Sequence, residues 1–368
     1  MPRKFLYAVD NFSDLIQYHL PYLQAIAEKG IELHAAASGA NRACPYISRF
    51  FSLPSENTSL SYESFSVVRL LIPILRNERY DLIVLCGSWS AYLIRMALFF
   101  LPRPHPYVVN ISDGYITDKD TPIFKRSGAL FKEKLLRCVT DEVLALCPED
   151  YAYARRHRLF RDKLLVSSGL GLELSHYHPA GALEKSEARY MLGIPEHVQV
   201  LVYAENFTAR ANQEMLIRAV RLLPKDVYLY LPGEGARLEK CRELSETLGV
   251  LPQIIFPGLQ RSLLPAFRAA DIVVSSATNT AFPMSLLAAL ACGLPAVVSD
   301  VKGNRSLVHD DVNGYLYPVG NEYQFADRVI RIYSDRALER RLGEASLEVP
   351  KKYELSEVQE DVAHALLF

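Results

Sequence analysis

The chain has almost no net charge, which excludes one large class of partners. Its 368 residues include 41 basic and 42 acidic side chains, for a formal charge of −1 at pH 7. Proteins that bind nucleic acid present a concentration of positive charge to the phosphate backbone. We therefore expect no nucleic-acid partner.

Long hydrophobic runs are missing as well. The longest lipid-like stretch, LIRMALFFL at residues 93–101, contains Arg95. It is far shorter than the ~20 apolar residues that cross a bilayer as a helix. The opening run MPRKFLYAVD already reaches an acidic residue at Asp10, too early for a secretion signal. These absences predict a cytoplasmic protein.

Closely paired cysteines are also absent. The six cysteines include no Cys-x-x-Cys pair, and most lie within apolar runs, which favours buried, reduced thiols. His176 and His178 could ligate a metal, but no cysteine or acidic cluster accompanies them, as a metal site would require. We expect neither a bound metal ion nor another cofactor.

Short β-branched runs alternate with amphipathic segments along the whole chain. In the first half, strand-like runs such as KFLYAVD and DLIVLC are separated by helix-like segments such as SVVRLLIPILRNE. The second half repeats this arrangement with VQVLVYA, DIVVSSA and the segments between them. Such alternation predicts a parallel sheet covered by helices on both faces. The sequence therefore predicts two doubly wound α/β halves.

A stretch rich in glycine, proline and polar residues, at 169–195, separates the two halves. No strand-like run crosses it, as expected of a domain boundary. We predict a first domain at residues 1–172, a second at 173–350 and a final helix at 351–368. A cleft between two such domains is the natural place for a ligand.

The segment NTAFPMSLLAALACGLPAVVSD, at residues 279–300, is the most informative part of the chain. A polar loop reaches Pro283, an acceptable helix start, and the apolar helix that follows ends at Gly293 and Pro295 before the strand AVVS. Glycine and proline there are the usual stop signals. Free amides at the helix start bind anions, and a diphosphate is the obvious candidate. The alternative is a buried helix–strand unit of an ordinary α/β protein.

This segment resembles the donor-sugar motif of family 4 retaining glycosyltransferases, especially those that build bacterial exopolysaccharide. That motif has two glutamates separated by seven residues, an alanine-rich helix, a Cys-Gly or Ser-Gly pair and a proline. When ALACGLP is placed on it, Thr280 and Ala288 stand where the two glutamates belong. Both carboxylates are absent.

The resemblance extends over essentially the whole chain, through segments such as TDEVLALCPEDYAYARRHRL, GLGLELSHYHP and DVKGNRSLVHDDVNGYLYPVGN. It implies the GT-B fold, in which two Rossmann-like, doubly wound parallel-sheet domains face a central cleft. The first domain would then hold the acceptor and the second the nucleotide sugar. The final helix would cross back to the first domain.

The resemblance also implies which residues bind the donor. Arg210 would neutralise the leaving diphosphate, while a second cation of the family is replaced by Ala211. The alternative for Arg210 is a surface arginine near a helix start. The remaining residues implied in donor binding are Gly233, Glu234 and Gly235 in a turn close to the nucleotide, Thr280 and Ala288 at the glutamate positions, and Ser285 and Leu286 through their backbone amides.

In the first domain, Asp113 and Gly114 stand where the family often has His-Gly. Asp113 would hydrogen-bond a sugar hydroxyl or act as general base, although Asp-Gly is equally a common turn. The loop at Asp10 and Asn11 lacks the glycine pair of many relatives. It is expected to face the cleft and contact the acceptor.

Residues 124–137, FKRSGALFKEKLLR, form a basic and amphipathic segment. Such a surface suits peripheral contact with the inner face of the cell membrane and with a lipid-linked acceptor. A helix with a solvated basic face is the alternative interpretation.

We predict the transfer of a sugar from a UDP- or GDP-linked donor to a saccharide acceptor, as the resemblance implies. That acceptor would be lipid-linked, and the pathway would be surface polysaccharide synthesis. Losing both glutamates would weaken the donor complex by ~10²- to 10⁴-fold. A second hypothesis therefore stays open, in which the chain is a weakly active or inactive homologue that acts as partner of an active glycosyltransferase.

Overall fold

The computed structural model describes residues 3–39, 44–54, 62–112, 114–115, 122–167 and 169–358. The chain divides into two compact units. Unit 1 comprises Met1–Leu170 and Ser356–Phe368, and unit 2 comprises Gly171–Leu355. Most of the predicted final helix, from residue 359 onward, lies outside the described residues.

Unit 1 contains a seven-stranded parallel sheet in the order β3-β2-β1-β4-β5-β6-β7. Its strands are β1 (Lys4–Asn11), β2 (Glu32–Ser38), β3 (Arg49–Ser52), β4 (Leu82–Cys86), β5 (Tyr107–Ser112), β6 (Glu142–Ala145) and β7 (Lys163–Val166). Its helices are α1 (Phe12–Tyr18), α2 (Leu20–Glu28), α3 (Tyr62–Glu78), α4 (Trp89–Phe99), α5 (Ile123–Leu136) and α6 (Pro148–His157). The central strand β1 is buried on both faces along most of its length, as expected of a parallel sheet with helices on both sides.

Unit 2 repeats this architecture with a six-stranded parallel sheet in the order β10-β9-β8-β11-β12-β13. Its strands are β8 (Gln199–Val202), β9 (Val227–Pro232), β10 (Ile254–Gly258), β11 (Ile272–Ser275), β12 (Ala296–Ser299) and β13 (Gly314–Tyr317). Its helices are α7 (Ala182–Leu192), α8 (Gln213–Val220), α9 (Leu238–Thr247), α10 (Leu264–Ala269), α11 (Met284–Ala291), α12 (Lys302–Leu307), α13 (Glu322–Tyr333) and α14 (Arg336–Ser346).

The prediction of two doubly wound α/β halves is confirmed. Two strands were not among those predicted, β3 in unit 1 and β13 in unit 2, and each stands at the edge of its sheet. Both are only four residues long, so neither gives a long periodic signal in the sequence. All six cysteines are free thiols. No helix within the described ranges is long and apolar enough to cross a membrane.

Candidate functional site

The order of strands in unit 2 reverses between β8 and β11. In open parallel sheets, ligands bind outside the carboxyl ends of the strands at such a reversal. A cavity of about 20 Å³ lies there, which is room for about one water molecule. Its lining includes Tyr203, Glu205, Ser275, Thr280, Ser285 and Leu286.

The first turn of α11 borders this cavity. Pro283 precedes the helix in an extended conformation, with φ −84° and ψ 95°, and no side chain caps the helix. The first intrahelical hydrogen bond runs from the amide of Leu287 to the carbonyl of Pro283, at 3.1 Å. The amides of Met284, Ser285 and Leu286 therefore meet no acceptor among the described residues. Together they give this end of the helix a partial positive charge.

The loop after β8 carries Arg210 and is tied to the loop before α11. Thr278 donates to the carbonyl of Arg210 from its amide at 2.8 Å and from its hydroxyl at 3.2 Å. Ser276 donates its hydroxyl to the neighbouring carbonyl of Ala211 at 2.8 Å. These bonds hold Arg210 beside the loop that carries Thr280.

Two charges of opposite sign act on the hydroxyl of Tyr203, a residue that lines the cavity. Burial raises the pKa of the Tyr203 hydroxyl, and the carboxylate of Glu205 raises this pKa further. The guanidinium of Arg210 opposes both effects and lowers the pKa. Glu205 lines the cavity, whereas Arg210 does not belong to its lining among the described residues. The contact of Arg210 with a ligand stays a prediction.

The glycines of the predicted nucleotide turn bring two loops of unit 2 together, and their closeness to a nucleotide stays a prediction. Gly233 has φ +142° and Gly235 has φ +145°, and a Cβ on either would lie 2.5–2.6 Å from the carbonyl oxygen of Glu205 or Phe207. The amide of Phe207 in turn donates to the carbonyl of Glu234 at 2.8 Å. These glycines thus let two loops of unit 2 pack backbone to backbone, while the side chain of Glu234 is exposed.

The two residues at the positions of the family's glutamates differ in burial and in their contact with the cavity. Thr280 is half-buried and lines the cavity, and its carbonyl accepts from the amide of Gly303 at 3.1 Å. Ala288 is completely buried within α11 and does not line the cavity. The place of Ala288 in the donor site stays a prediction, and its methyl group is buried.

Buried polar groups support the strand ends beneath the cavity. The amide of Asn304 donates to the Ser299 carbonyl at 2.9 Å and to the Ser275 hydroxyl at 3.4 Å. The hydroxyl of Tyr317 donates to the carbonyl of Ser275 at 2.8 Å. These bonds connect the ends of β11 and β12, although the Oδ1 atom of Asn304 is buried without a partner among the described residues.

In unit 1, Asp10 caps a helix. Its carboxylate accepts from the amides of Ser88, Trp89 and Ser90 at 2.8–3.1 Å, and from the Ser90 hydroxyl at 2.8 Å. These amides form the start of α4, where a carboxylate is stabilised by the helix dipole. The predicted contact of Asp10 with an acceptor stays a prediction, and the carboxylate that would make it is held inside the unit.

Of the other residues predicted on the acceptor side, Asn11 ends β1 and Gly114 lies shortly after β5. Asn11 donates to Asp14 at 3.1 Å and accepts from the Ser38 hydroxyl at 3.0 Å. Gly114 has φ +105°, a conformation that favours glycine. Asp113 lies outside the described residues.

A buried histidine lies below the same end of the sheet in unit 1. His19 is only 4% exposed, and its Nδ1 lies 2.9 Å from the hydroxyl of Tyr7. Its Nε2 lies 3.8 Å from the sulfur of Cys86. Burial lowers the pKa of His19 to about 4, so the ring is neutral near pH 7.

The histidine pair considered for metal binding is engaged elsewhere. His178 Nε2 lies 3.0 Å from a guanidinium nitrogen of Arg268, and His176 Nδ1 lies 3.6 Å from Glu173. Within the described ranges no group of three or more potential ligands could hold a metal ion.

Sequence reasoning missed Tyr203, Glu205 and Ser275, although all three line the cavity. Ser275 ends β11, and Tyr203 and Glu205 follow β8 directly. Their place in the chain could have indicated a role in the site, because both strands flank the reversal in strand order. That indication depends on which strands are neighbours in the sheet, which the structure shows.

Comparison with known proteins finds relatives for unit 2 and for the whole chain. Residues 184–349 match the family Glycosyl transferases group 1, and these residues lie wholly within unit 2. The chain is 26% identical over 368 residues to the inferred glycosyltransferase EpsD of Bacillus subtilis (strain 168), a match that spans 99% of this chain and 96% of that protein. Unit 2 is therefore similar to a group 1 glycosyltransferase domain.

Solved structures share the whole fold. Sucrose-phosphate synthase from Thermosynechococcus elongatus matches with a TM-score of 0.76 at 18% identity, over 99% of this chain and 98% of that one. HepE from Anabaena, in complex with UDP-glucose, matches with a TM-score of 0.73 at 17% identity, over 99% of both chains. At such identities the likeness shows the fold alone. The predicted fold class, two Rossmann-like α/β units of the GT-B type, is confirmed.

Proposed function

We propose that this protein is a glycosyltransferase that moves a sugar from a nucleotide-sugar donor to a saccharide acceptor. The donor is UDP- or GDP-linked, the acceptor is lipid-linked, and the product belongs to surface polysaccharide. The similarity of unit 2 to a group 1 domain and the likeness to EpsD support this assignment. The complex of the Anabaena protein with UDP-glucose favours UDP as the first nucleotide to test.

The observation that carries the proposal is the open first turn of α11. Its amides at Ser285 and Leu286, which meet no acceptor among the described residues, lie at the reversal in strand order. They are beside the loop that carries Arg210. Backbone amides at a helix start are a general site for phosphate. They need no particular side chain, so this part of the site is independent of the two missing glutamates.

Each group at this end of unit 2 then has a task. The amides bind the donor diphosphate, and Arg210 pairs with the negative charge that grows on it as the sugar leaves. Thr280 offers a hydroxyl to the sugar.

The acceptor side is assigned to unit 1. Asp113 is proposed as general base or sugar contact, with Asp10, Asn11 and Gly114 near the acceptor.

The alternative is a weakly active or inactive homologue that assists an active glycosyltransferase. The two missing glutamates favour it, because neither Thr280 nor Ala288 carries a carboxylate. A charged hydrogen bond contributes about 1.5–3 kcal/mol, and Thr280 replaces only part of one. Both hypotheses expect diphosphate binding, and they differ in turnover.

Calorimetric titration with UDP, GDP and UDP-glucose tests the site. We expect Arg210→Ala to weaken binding by about tenfold or more, because one charge-assisted contact to phosphate is lost. Arg340→Ala is the matched control, since that side chain is 80% exposed on α14 and should leave binding unchanged. Equal affinities of the two variants would remove Arg210 from the site.

A turnover assay separates the two hypotheses. Release of UDP in the presence of a lipid-linked saccharide, abolished in Arg210→Ala, supports the enzyme. Nucleotide binding without UDP release, together with faster turnover by a second transferase when this chain is added, supports the partner role.

A further inference from the structure

Helix α5 in unit 1 presents an apolar face to solvent. Ile123 is 78% exposed, Phe124 73% and Phe131 70%, and Leu135 is also exposed. Phe124, Phe131 and Leu135 are spaced by seven and then four residues, so they form one stripe along the helix. We name this stripe, with Ile123, the α5 apolar stripe.

The opposite side of α5 is anchored to the core, which fixes the direction of the stripe. Glu133 accepts two hydrogen bonds from the guanidinium of Arg95, at 2.8 and 3.2 Å, and Arg95 on α4 is 4% exposed. Leu136 on the same side is completely buried. The stripe therefore faces outward because the other face of the helix makes the buried contacts.

Positive charge flanks the stripe on both sides. Lys125, Lys132 and Lys134 are exposed on α5, and helical spacing of 100° per residue places the first two on one side of the stripe and Lys134 on the other. The only acidic residue of α5, Glu133, is neutralised by Arg95. The outward face thus carries lysines and no acidic residue from α5 itself.

We propose that the α5 apolar stripe and its flanking lysines dock on the surface of an anionic lipid bilayer. An outward apolar stripe flanked by lysines is what an interfacial helix needs, since the rings enter the acyl boundary while the ammonium groups stay with lipid phosphates. A second copy is a poor occupant, because a two-fold contact through this face would bring lysines against lysines. The inference concerns where the protein works and does not depend on the proposed chemistry.

Helix α7 in unit 2 provides an internal control. Leu183 and Tyr190, also seven residues apart, are 72% and 87% exposed. The basic residues of α7 are turned inward, because Lys185 and Arg189 both bind Asp271, at 2.5 and 2.8 Å. Exposed Glu187 lies on the outward side. This helix has the apolar stripe without the positive flank.

The experiment is co-sedimentation of the full chain with vesicles of equal parts phosphatidylglycerol and phosphatidylcholine, and with vesicles of phosphatidylcholine alone. We expect binding to the anionic vesicles only, and weaker binding at high salt. Phe124→Ser with Phe131→Ser should weaken it by about tenfold or more. Lys125→Glu with Lys134→Glu should weaken it by a similar factor. The α7 pair, Leu183→Ser with Tyr190→Ser, should bind like the parent.

The choice of lysines follows from their contacts. Arg126 is half-buried, and its charge lowers the pKa of Tyr153 against the effect of burial. Lys132 lies 4.9 Å above the ring of Tyr92. Changing either would disturb packing within unit 1, whereas Lys125 and Lys134 are exposed.

Three results would overturn the proposal. They are a parent that does not bind anionic vesicles, α5 variants that bind as well as the parent, and an α7 pair that loses as much binding as the α5 pairs. A fourth would come from sedimentation without lipid. If the parent is a dimer and the α5 variants are monomers, the face belongs to a contact with a second copy. UDP binding measured on the same variants should be unchanged. Failure of the membrane proposal can therefore be distinguished from failure of the proposed function.

Discussion

The two units differ at equivalent helix starts, since a side chain occupies the one in unit 1 and none caps the one in unit 2. In each sheet, one helix follows the strand across the reversal in strand order, α4 after β4 in unit 1 and α11 after β11 in unit 2. The start of α4 is filled by the carboxylate of Asp10, which accepts from three consecutive amides. The start of α11 has no side-chain cap and borders a cavity.

Loop length explains the difference. Only Gly87 and Ser88 separate β4 from α4, so the helix starts directly beside the carboxyl end of β1, where Asp10 lies. Residues 276–283 separate β11 from α11, and Glu205, which follows β8, lines a cavity there. A helix start attracts negative charge in either case. Unit 1 supplies that charge from its own chain, and we propose that a ligand supplies it in unit 2.

The largest expected effect comes from displacing the Asp10 carboxylate from the start of α4, which we call the filled site. A Cβ at Gly87 would lie 2.4 Å from Asp10 Oδ1, at φ +125°, so Gly87→Ala must displace the carboxylate from its amides. We expect a loss of about 3–4 kcal/mol in the free energy of unfolding. Gly30→Ala is the control, since Gly30 has φ +72° and open space around its Cβ position, and should cost about 1 kcal/mol. Denaturant unfolding followed by the fluorescence of Trp89, the only tryptophan, measures both, and equal losses would contradict this account.

Acid should weaken unit 1 through His19. Its pKa is about 4 in the folded state and about 6.5 when unfolded. The unfolded chain therefore takes up a proton first as the pH falls, and stability present above pH 6.5 is lost progressively down to pH 4, by about 3 kcal/mol. His19→Gln should flatten this part of the pH profile. An unchanged slope in Trp89 fluorescence unfolding would show that His19 is not buried as a neutral ring.

Removing the carboxylate itself should have a smaller effect. Asp10→Ala leaves the amides of Ser88, Trp89 and Ser90 without their acceptor, and we expect a loss of about 2 kcal/mol. Asp335→Ala on α14 is the matched control, because this exposed cap accepts from two amides, at 2.9 and 3.0 Å, and should cost about 1 kcal/mol. A loss for Asp10→Ala no larger than for Asp335→Ala would show that the filled site contributes little.

The fold could be predicted from the sequence because its signal is local. Alternating strand-like and helix-like runs indicate a parallel sheet whatever the order of the strands. The short edge strands β3 and β13 were missed because four residues carry too little periodicity. The division into two units likewise has a local signal in the polar stretch near Gly169.

The candidate site was less predictable because it depends on distant parts of the chain. The family motif pointed to Thr280, Ser285 and Leu286, which line the cavity. It also pointed to Ala288, which is buried. The role of Asp10 could not be read locally, since its partners lie 78–80 residues further along.

The most direct test converts the open helix start of unit 2 into a filled one. Ser285 is the second residue of α11, where an aspartate suits the helix dipole but places negative charge against a bound diphosphate. We expect Ser285→Asp to keep the free energy of unfolding and to weaken UDP-glucose binding, measured by calorimetry, by about tenfold or more. Ser285→Asn, which matches it in size without the charge, should bind like the parent. If the aspartate variant binds UDP-glucose as tightly as the parent, the diphosphate does not lie at α11 and the account is wrong.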